Sequence, residues 1–200
     1  ALEGSVAIGG AVVQWLRDNL NIISKADEVN THAATVDDNG GVYFVPAFSG
    51  LYAPRWDLNA RGCIAGLTRF ANKGHLCRAA LEGIAFQVSD VLRAMEKDSD
   101  RLHMLKVDGG ATDSNLLMQF QSDILDLDVT KPRSASNTTA LGAAFAAGLG
   151  KGAYTNVEEI AQLVEAEKTW TPQMDQTVRQ NHLRQWSKAV DRSLDWVDSS

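Results

Sequence analysis

The order of segments specifies an α/β domain, with parallel strand pairs and helices covering a sheet. Two observations predict it. Short apolar runs that end in Gly or Pro alternate with longer segments whose apolar residues recur every three to four positions. The composition is that of a packed globule: 200 residues, 44% hydrophobic and 22% charged, with 16 Gly and only 4 Pro. These values exclude a disordered chain, a collagen and a disulfide-stapled mini-domain. A formal net charge of −6 excludes a surface that attracts nucleic acid or anionic lipid as a whole. Any anion bound here is therefore expected to be held locally, by backbone amides or a helix end.

The segment 11–19 (AVVQWLRDN) reads as a helix with Val12, Val13 and Leu16 on its apolar side and Gly9 and Gly10 before it. Ser24 is expected to cap a second helical stretch over 25–35. Residues 37–41 (DDNGG) form a turn cluster, and 42–45 (VYFV) a buried strand that stops at Pro46. The loop 47–61 is rich in aromatics and Gly, which marks a functional or interface segment, and 63–67 is another strand. The longest helix is predicted over 74–97, where Leu76, Ala80, Ile84, Val88, Val91 and Met95 make one stripe.

Residues 102–107 read as a buried strand ending in Asp108, Gly109 and Gly110, followed by a helix over about 113–125. A short strand over 127–130 runs into Pro132. The helix 138–149 (TTALGAAFAAGL) is dense in Ala and Gly, and Gly142, Ala143, Ala146 and Ala147 predict close packing on a neighbour. Helices over 157–165 and 177–197 complete the chain, the last with Leu183, Trp186, Val190, Leu194 and Val197 on one face. The nearest thing to a boundary is 171–174, with Pro172 inside it.

Little in the chain looks like a catalytic constellation. Cys63 and Cys77 lack C-x-x-C spacing and read as free thiols, which suits a reducing cytosol. His32, His75, His103 and His182 are scattered, so no metal held by protein side chains is expected. No apolar run is long enough to span a bilayer, and residues 1–19 lack a basic signal-peptide start. Glu82, inside the longest helix, is the one carboxylate in an unusual setting.

The sharpest local feature is the strand–Asp108-Gly109-Gly110–helix junction. Two glycines at the carboxyl end of a strand let a ligand approach the backbone, and a following helix end suits a nucleotide phosphate or ribose. A tight turn is the competing reading. Gly10 and Gln14 share a helix face and could present bare backbone and an amide to a base or sugar, although Gln14 alone reads as a solvent-exposed residue. Residues 148–152 (GLGKG) imitate a P-loop, but Phe145 stands at its first Gly position and Gly152 at its Ser/Thr. They read instead as a helix C-terminus with left-handed glycines.

Several segments together resemble the FGGY carbohydrate kinases, the glycerol kinases among them. They are GCIAGL at 62–67 and HLCRAALE at 75–82, separated by seven residues, with ALEGS at 1–5, AFSGLYAPRWDLNARG at 47–62, LKVDGGATDSNLLMQFQSDIL at 105–125 and TTALGAAFAAG at 138–148. The resemblance implies an actin/Hsp70-like (ribonuclease H-like) ATPase of two lobes. This chain would be the nucleotide-binding part of the C-terminal lobe over 1–200, incomplete at its N-terminus, with 175–200 a C-terminal packing helix. It implies ATP with Mg²⁺, a small polyol (glycerol) as acceptor, a cytoplasmic location and a homo-oligomer when intact, with neither nucleic acid nor membrane as partner.

By that resemblance Gly10 and Gln14 touch ATP and Gly110 backs the nucleotide, with Asp108 and Gly109 beside it. Four residues past Gly110 the family usually has Asn; here Ser114 stands there with Asn115 next, so either is a candidate contact. Arg55 and Asn137 stand where the family usually has Tyr and Glu. The first phosphate loop, most polyol contacts, the catalytic Asp and the second phosphate hairpin would all precede Ala1. The chain is thus expected to hold no catalytic residue and to be inactive alone. Other readings are a pentulose or gluconate kinase of the same family, or a binding module whose partner surface uses 52–56, Trp186 and Trp196.

Overall fold

The computed structural model describes residues 2–133 and 137–198. Ala1 of the 1–5 segment and the last two positions of the expected 175–200 helix lie outside the described residues. The chain runs α1 (Ala11–Asp18), α2 (Glu28–Ala33), β1 (Tyr43–Val45), β2 (Cys63–Ala65), α3 (Lys73–Met95) and β3 (Met104–Lys106). After a 3₁₀ turn at Gly110–Asp113 come α4 (Asn115–Leu125), β4 (Asp128–Pro132), α5 (Thr138–Gly150), α6 (Val157–Leu163), β5 (Ala166–Trp170) and α7 (Gln176–Asp191).

The α/β reading holds, but among the described residues only one of the strand pairs is parallel. β3 and β4 pair in parallel with Leu105 opposite Val129, and α4 is the crossover between them. β1 and β2 are antiparallel, with Phe44 opposite Ile64, because the 46–62 loop doubles back. β4 and β5 are also antiparallel. β3 is an edge strand and not a buried one: Met104 is 45% exposed and Leu105 only half-buried. β5 is unanticipated from sequence, since AEKTW carries charges and buries only Trp170, as edge strands do. The expected 157–165 helix stops at Leu163, just before β5, and the helix expected over 177–197, within 175–200, is α7, which stops at Asp191.

α3 is the centre of the molecule. Its N-terminus is closed by a capping box in which Asn72 Oδ1 accepts from the Gly74 and His75 amides and His75 Nδ1 accepts from the Asn72 amide. Leu81, Ile84, Ala85 and Phe86 are buried within the core. α2, α4 and β1 all pack on α3. Phe86 stacks on Trp186 of α7 at 4.9 Å between ring centroids, and the Trp186 indole N–H donates to Asp90 at 2.9 Å. Trp186 is therefore interior and cannot serve a partner surface; Trp56 and Trp196 are exposed.

Three further expectations are corrected. α2 begins at Glu28 and ends at Ala33; Ser24 does not cap it, and instead the Ser24 amide donates to the Glu28 carboxylate at 2.7 Å. No described side chain of α5 is buried, and a Cβ at Gly142 would meet nothing within 4 Å, so the small residues pack on no neighbour within the described residues. Past α5, Gly152 alone among the 148–152 glycines is left-handed, at φ +74°. Its amide donates to Leu149 and that of Ala153 to Gly148, which closes the helix as a Schellman turn and leaves no P-loop. Cys77 is buried and Cys63 half-buried, both free thiols, and burial pushes the Cys77 thiol up to about 11.

Glu82 is buried in the middle of α3. Its carboxylate accepts from Arg78 Nε at 2.9 Å and from Asn39 Nδ2 at 2.8 Å, while the Arg78 guanidinium also donates to the Val36 carbonyl. The cluster fastens the 36–41 turn to the helix. Desolvation raises the Glu82 carboxyl to about 7, against the lowering effect of Arg78 and Asn39. A carboxyl whose folded pKa is raised binds its proton more tightly when folded. Its contribution to stability is full below the unfolded value near 4.5 and is lost as pH rises to about 7. Urea unfolding from pH 4.5 to 8 should show the parent losing on the order of 1–3 kcal/mol relative to Glu82→Gln across that window. Parallel stability curves for the two proteins would contradict it.

Candidate functional site

Four segments remote in sequence enclose a cavity of about 430 Å³: the start of α1, the entry to α2, the middle of α3 and the turn leading into α4. Val12, Val13 and Leu16 turn α1 toward the core, which leaves Gln14 exposed on the side that lines the cavity. Gly10 caps α1, and a Cβ there would meet nothing within 4 Å. The base of the cavity is apolar, from Val13, Val29, Leu81, Ile84 and Leu117. Around it stand the polar groups of Gln14, Asn30 and Ser114 and the charged groups of Arg17, Asp27 and Asp113.

The Asp108-Gly109-Gly110 junction is built from backbone bonds. Val107 donates to Thr130 and so extends the parallel pairing past β3. Gly109 sits at φ 84°, ψ 170°, a conformation open essentially to glycine alone. Its carbonyl then accepts both the amide and the hydroxyl of Thr112, at 3.1 and 2.7 Å. The result is a 3₁₀ turn and not the direct helix start expected; α4 begins only at Asn115. Gly110 lies on that turn with open space where a Cβ would stand.

Ser114 is buried and extended, and caps α4: its Oγ accepts from the Leu117 amide at 3.2 Å. The same hydroxyl donates to Asn30 Oδ1 at 2.5 Å, across to α2. Asn115 turns the other way, and its Oδ1 accepts from Lys168 Nζ at 2.6 Å. Of the two candidates at this position, Ser114 lines the cavity and Asn115 does not.

The structure thus brings Gly10, Gln14, Gly110 and Ser114 together on one cavity. Asp108 is exposed and lies outside that lining, and Gly109 instead lines an adjoining cavity of about 170 Å³ with Lys131, Arg133 and Glu167. There Lys131 pairs with Asp113 at 2.8 Å and Glu167 at 3.7 Å, and Arg133 with Glu165 at 3.1 Å. The hydrogen bond and charge of Asp113 hold Lys131 above the usual lysine range. At the other side Arg17 pairs with Asp18 at 2.6 Å. Sequence reasoning missed Asn30 and Asp27, because α2 carries no motif; the one signal was Ser114 standing where an Asn is usual. Among the described residues no group of three or more His, Cys, Asp or Glu side chains is placed to hold a metal ion. The arrangement suits a flat apolar group carrying hydrogen-bonding edges, approached by bare backbone.

Known proteins resemble this chain over most of its length. Residues 1–150 match the profile described as the FGGY family of carbohydrate kinases, C-terminal domain. The glycerol kinase of Chloroflexus aurantiacus is 57% identical over 199 residues, covering 99% of this chain and 40% of its own length. The crystal structure of Plasmodium falciparum glycerol kinase with ADP superposes with a TM-score of 0.84 at 37% identity, over 92% of this chain and 37% of that one. Ligand-bound xylulose kinase from Lactobacillus acidophilus superposes at 0.80 with 26% identity, over 94% and 38%. The chain spans about 40% of the length of the curated relatives it matches.

The backbone of the junction makes a stability contrast. Gly109→Ala should cost about 1–3 kcal/mol through its φ alone, although the space around it is open. Gly110→Ala should stay within about 0.5 kcal/mol of the parent. Thermal unfolding of the two variants checks the pair, and equal losses would mean that space and not backbone angle governs the turn.

Proposed function

The chain belongs to the FGGY family of carbohydrate kinases, with the α/β actin/Hsp70-like ATPase fold of that family, and we propose that it forms one wall of the nucleotide site of an ATP-dependent glycerol kinase. One observation carries the reading: Gly10, Gln14, Gly110 and Ser114, from segments far apart in sequence, line a single apolar-floored cavity. Gly10 and Gly110 leave room where any side chain would intrude, so a purine nucleoside can approach the backbone. The solved glycerol kinase of similar fold is described with ADP.

In the intact protein the reaction is ATP + glycerol → glycerol 3-phosphate + ADP. A glycerol hydroxyl oxygen attacks the γ-phosphorus in line, the bond from γ-phosphorus to the bridging oxygen breaks, and a carboxylate outside this chain takes the proton. The residues of this chain bind and orient the nucleoside end, and the whole of 1–200 acts as one part of the C-terminal lobe, with α7 (Gln176–Asp191) and not all of 175–200 as its packing helix. Mg²⁺ bound to the triphosphate would supply neutralisation of developing charge, and among the described residues no group of three or more His, Cys, Asp or Glu side chains is placed to hold it. The chain alone carries no catalytic residue and no activity. We assign the intact protein to the cytoplasm, where free Cys63 and Cys77 suit a reducing milieu, and to a homo-oligomer. The exposed Trp56, Leu58 and Trp196 support the latter. No helix of the described residues is long and apolar enough to cross a membrane. Glycerol is preferred over a pentulose as acceptor because identity to the glycerol kinase is 57% and to the xylulose kinase 26%.

Two measurements test this. Gly110→Val in the intact protein should weaken ADP binding at least about tenfold by calorimetry, since its branched side chain fills the cavity, with the melting temperature close to the parent's. Unchanged ADP affinity in a folded variant removes the assignment. The purified 200-residue chain should release no ADP in response to glycerol. Measurable glycerol-dependent turnover would refute its inactivity.

A further inference from the structure

Ser114 is committed to the protein on its donor side. A serine hydroxyl has one proton, and here it goes to Asn30 Oδ1, while a lone pair takes the Leu117 amide. Ser114 therefore has no hydrogen left to give a ligand. What it does is fix the amide of Asn30. With Oδ1 receiving the Ser114 proton, Asn30 keeps both Nδ2 hydrogens and the second Oδ1 lone pair, and half-buried as the third residue of α2 it lines the cavity.

We propose that Asn30, held by Ser114, reads the base of the nucleotide and selects adenine over guanine. The inference rests on the nucleotide-site reading above and adds the specificity of that site. A fixed amide offers one donor beside one acceptor in a plane. Adenine shows the complementary pair, a ring-nitrogen acceptor beside the N6 amino donor, so Nδ2–H can donate to the ring nitrogen while Oδ1 accepts from N6. Guanine presents O6 and N7 there, two acceptors, and would leave the Asn30 oxygen facing another oxygen. The apolar base of Val13, Val29, Leu81, Ile84 and Leu117 supplies the flat surface against which a purine lies beside this amide. Asn30 is thus a base contact and Ser114 a positioning residue.

The test is calorimetric binding of ADP and GDP to the intact protein and its variants, with thermal unfolding alongside. Asn30→Ala should weaken ADP about tenfold and leave GDP within about twofold, so that the preference for adenine collapses. Asn30→Asp keeps the acceptor for the Ser114 hydroxyl and removes the Nδ2 hydrogens. It should lose the same ADP-to-GDP ratio even where the alanine variant folds poorly. Ser114→Ala should lose part of that ratio, because the amide is no longer oriented. A folded Asn30 variant that keeps the parent's ADP-to-GDP ratio overturns this inference alone. So does a variant that weakens both nucleotides equally, which is what a merely structural role would give. A parent that binds neither nucleotide overturns the nucleotide-site reading as well.

Discussion

Everything in this fold depends on how closely α3 can lie against β1, and Gly83 sets that distance. A Cβ at position 83 would stand 2.4 Å from the Phe44 carbonyl oxygen, inside any tolerable contact with backbone. With hydrogen there instead, the helix seats on the strand, and Phe44, Val45 and Ala85 share one buried core. Gly74 makes a comparable concession at the helix start, where a Cβ would meet Thr35 Oγ1 at 2.6 Å and the His32 carbonyl at 2.9 Å. Close approach at these two points positions α2 and α3 together. Because α2 carries Asn30, α3 carries Leu81 and Ile84, and α4 carries Leu117, the cavity takes its shape from helices that all pack on α3.

The polar interior follows the same logic. Glu82 lies next to Gly83, on the stretch of α3 that is sealed from water. A carboxylate there is costly unless its lone pairs are filled, and Arg78 and Asn39 fill them. The gain is positional. Asn39 also accepts from the Gly41 amide, so the turn before β1 cannot shift without leaving a buried charge short of a partner. Asp123 plays a similar part at the far end of α4, accepting from the Gln173 and Met174 amides and from Gln119. Buried polar groups here tie loops to helices, which apolar packing alone does without direction.

What could be read from the sequence divides along physical lines. Helices with strong periodicity were legible: α1 and α3 arise where the spacing of apolar residues puts them, and so does α7 as far as Asp191, short of Leu194 and Val197, because burial of one face decides both pattern and structure. Val42 to Val45 and the DDNGG turn were legible for the same reason. β5 was not, since an edge strand buries only one residue in five, and charge on its exposed face looks like a helix surface. The solvated state of β3 and α5 was equally hidden, because apolar residues are read as buried wherever they cluster, and a chain cannot show which of its faces lack a neighbour. At the site, Gly10, Gln14, Gly110 and Ser114 could be named from motif and resemblance. Asn30 could not. Its role comes from a side-chain contact between residues 84 positions apart, and no local pattern encodes that.

The charges around the cavity bear on which end of a nucleotide this wall accepts. The sequence, at net −6, requires any anion to be held locally. Yet the cations nearest the site are already engaged: Arg17 with Asp18, Lys131 with Asp113 and Glu167, and Arg133 with Glu165. A triphosphate facing these pairs would meet carboxylates as often as cations, and the exposed pairs contribute little net field in water. The cavity itself is apolar at its base, and its rim carries the neutral groups of Gln14, Asn30 and Ser114 beside Asp27 and the paired Arg17 and Asp113, which suits a base and ribose better than phosphate. On the proposed reading, phosphate charge is met by groups outside this cavity, whereas this wall recognises the nucleoside. On that same reading, the division matches a chain rich in family motifs whose cavity is lined by groups for binding and orienting: its contribution would be to decide what is bound and how it lies.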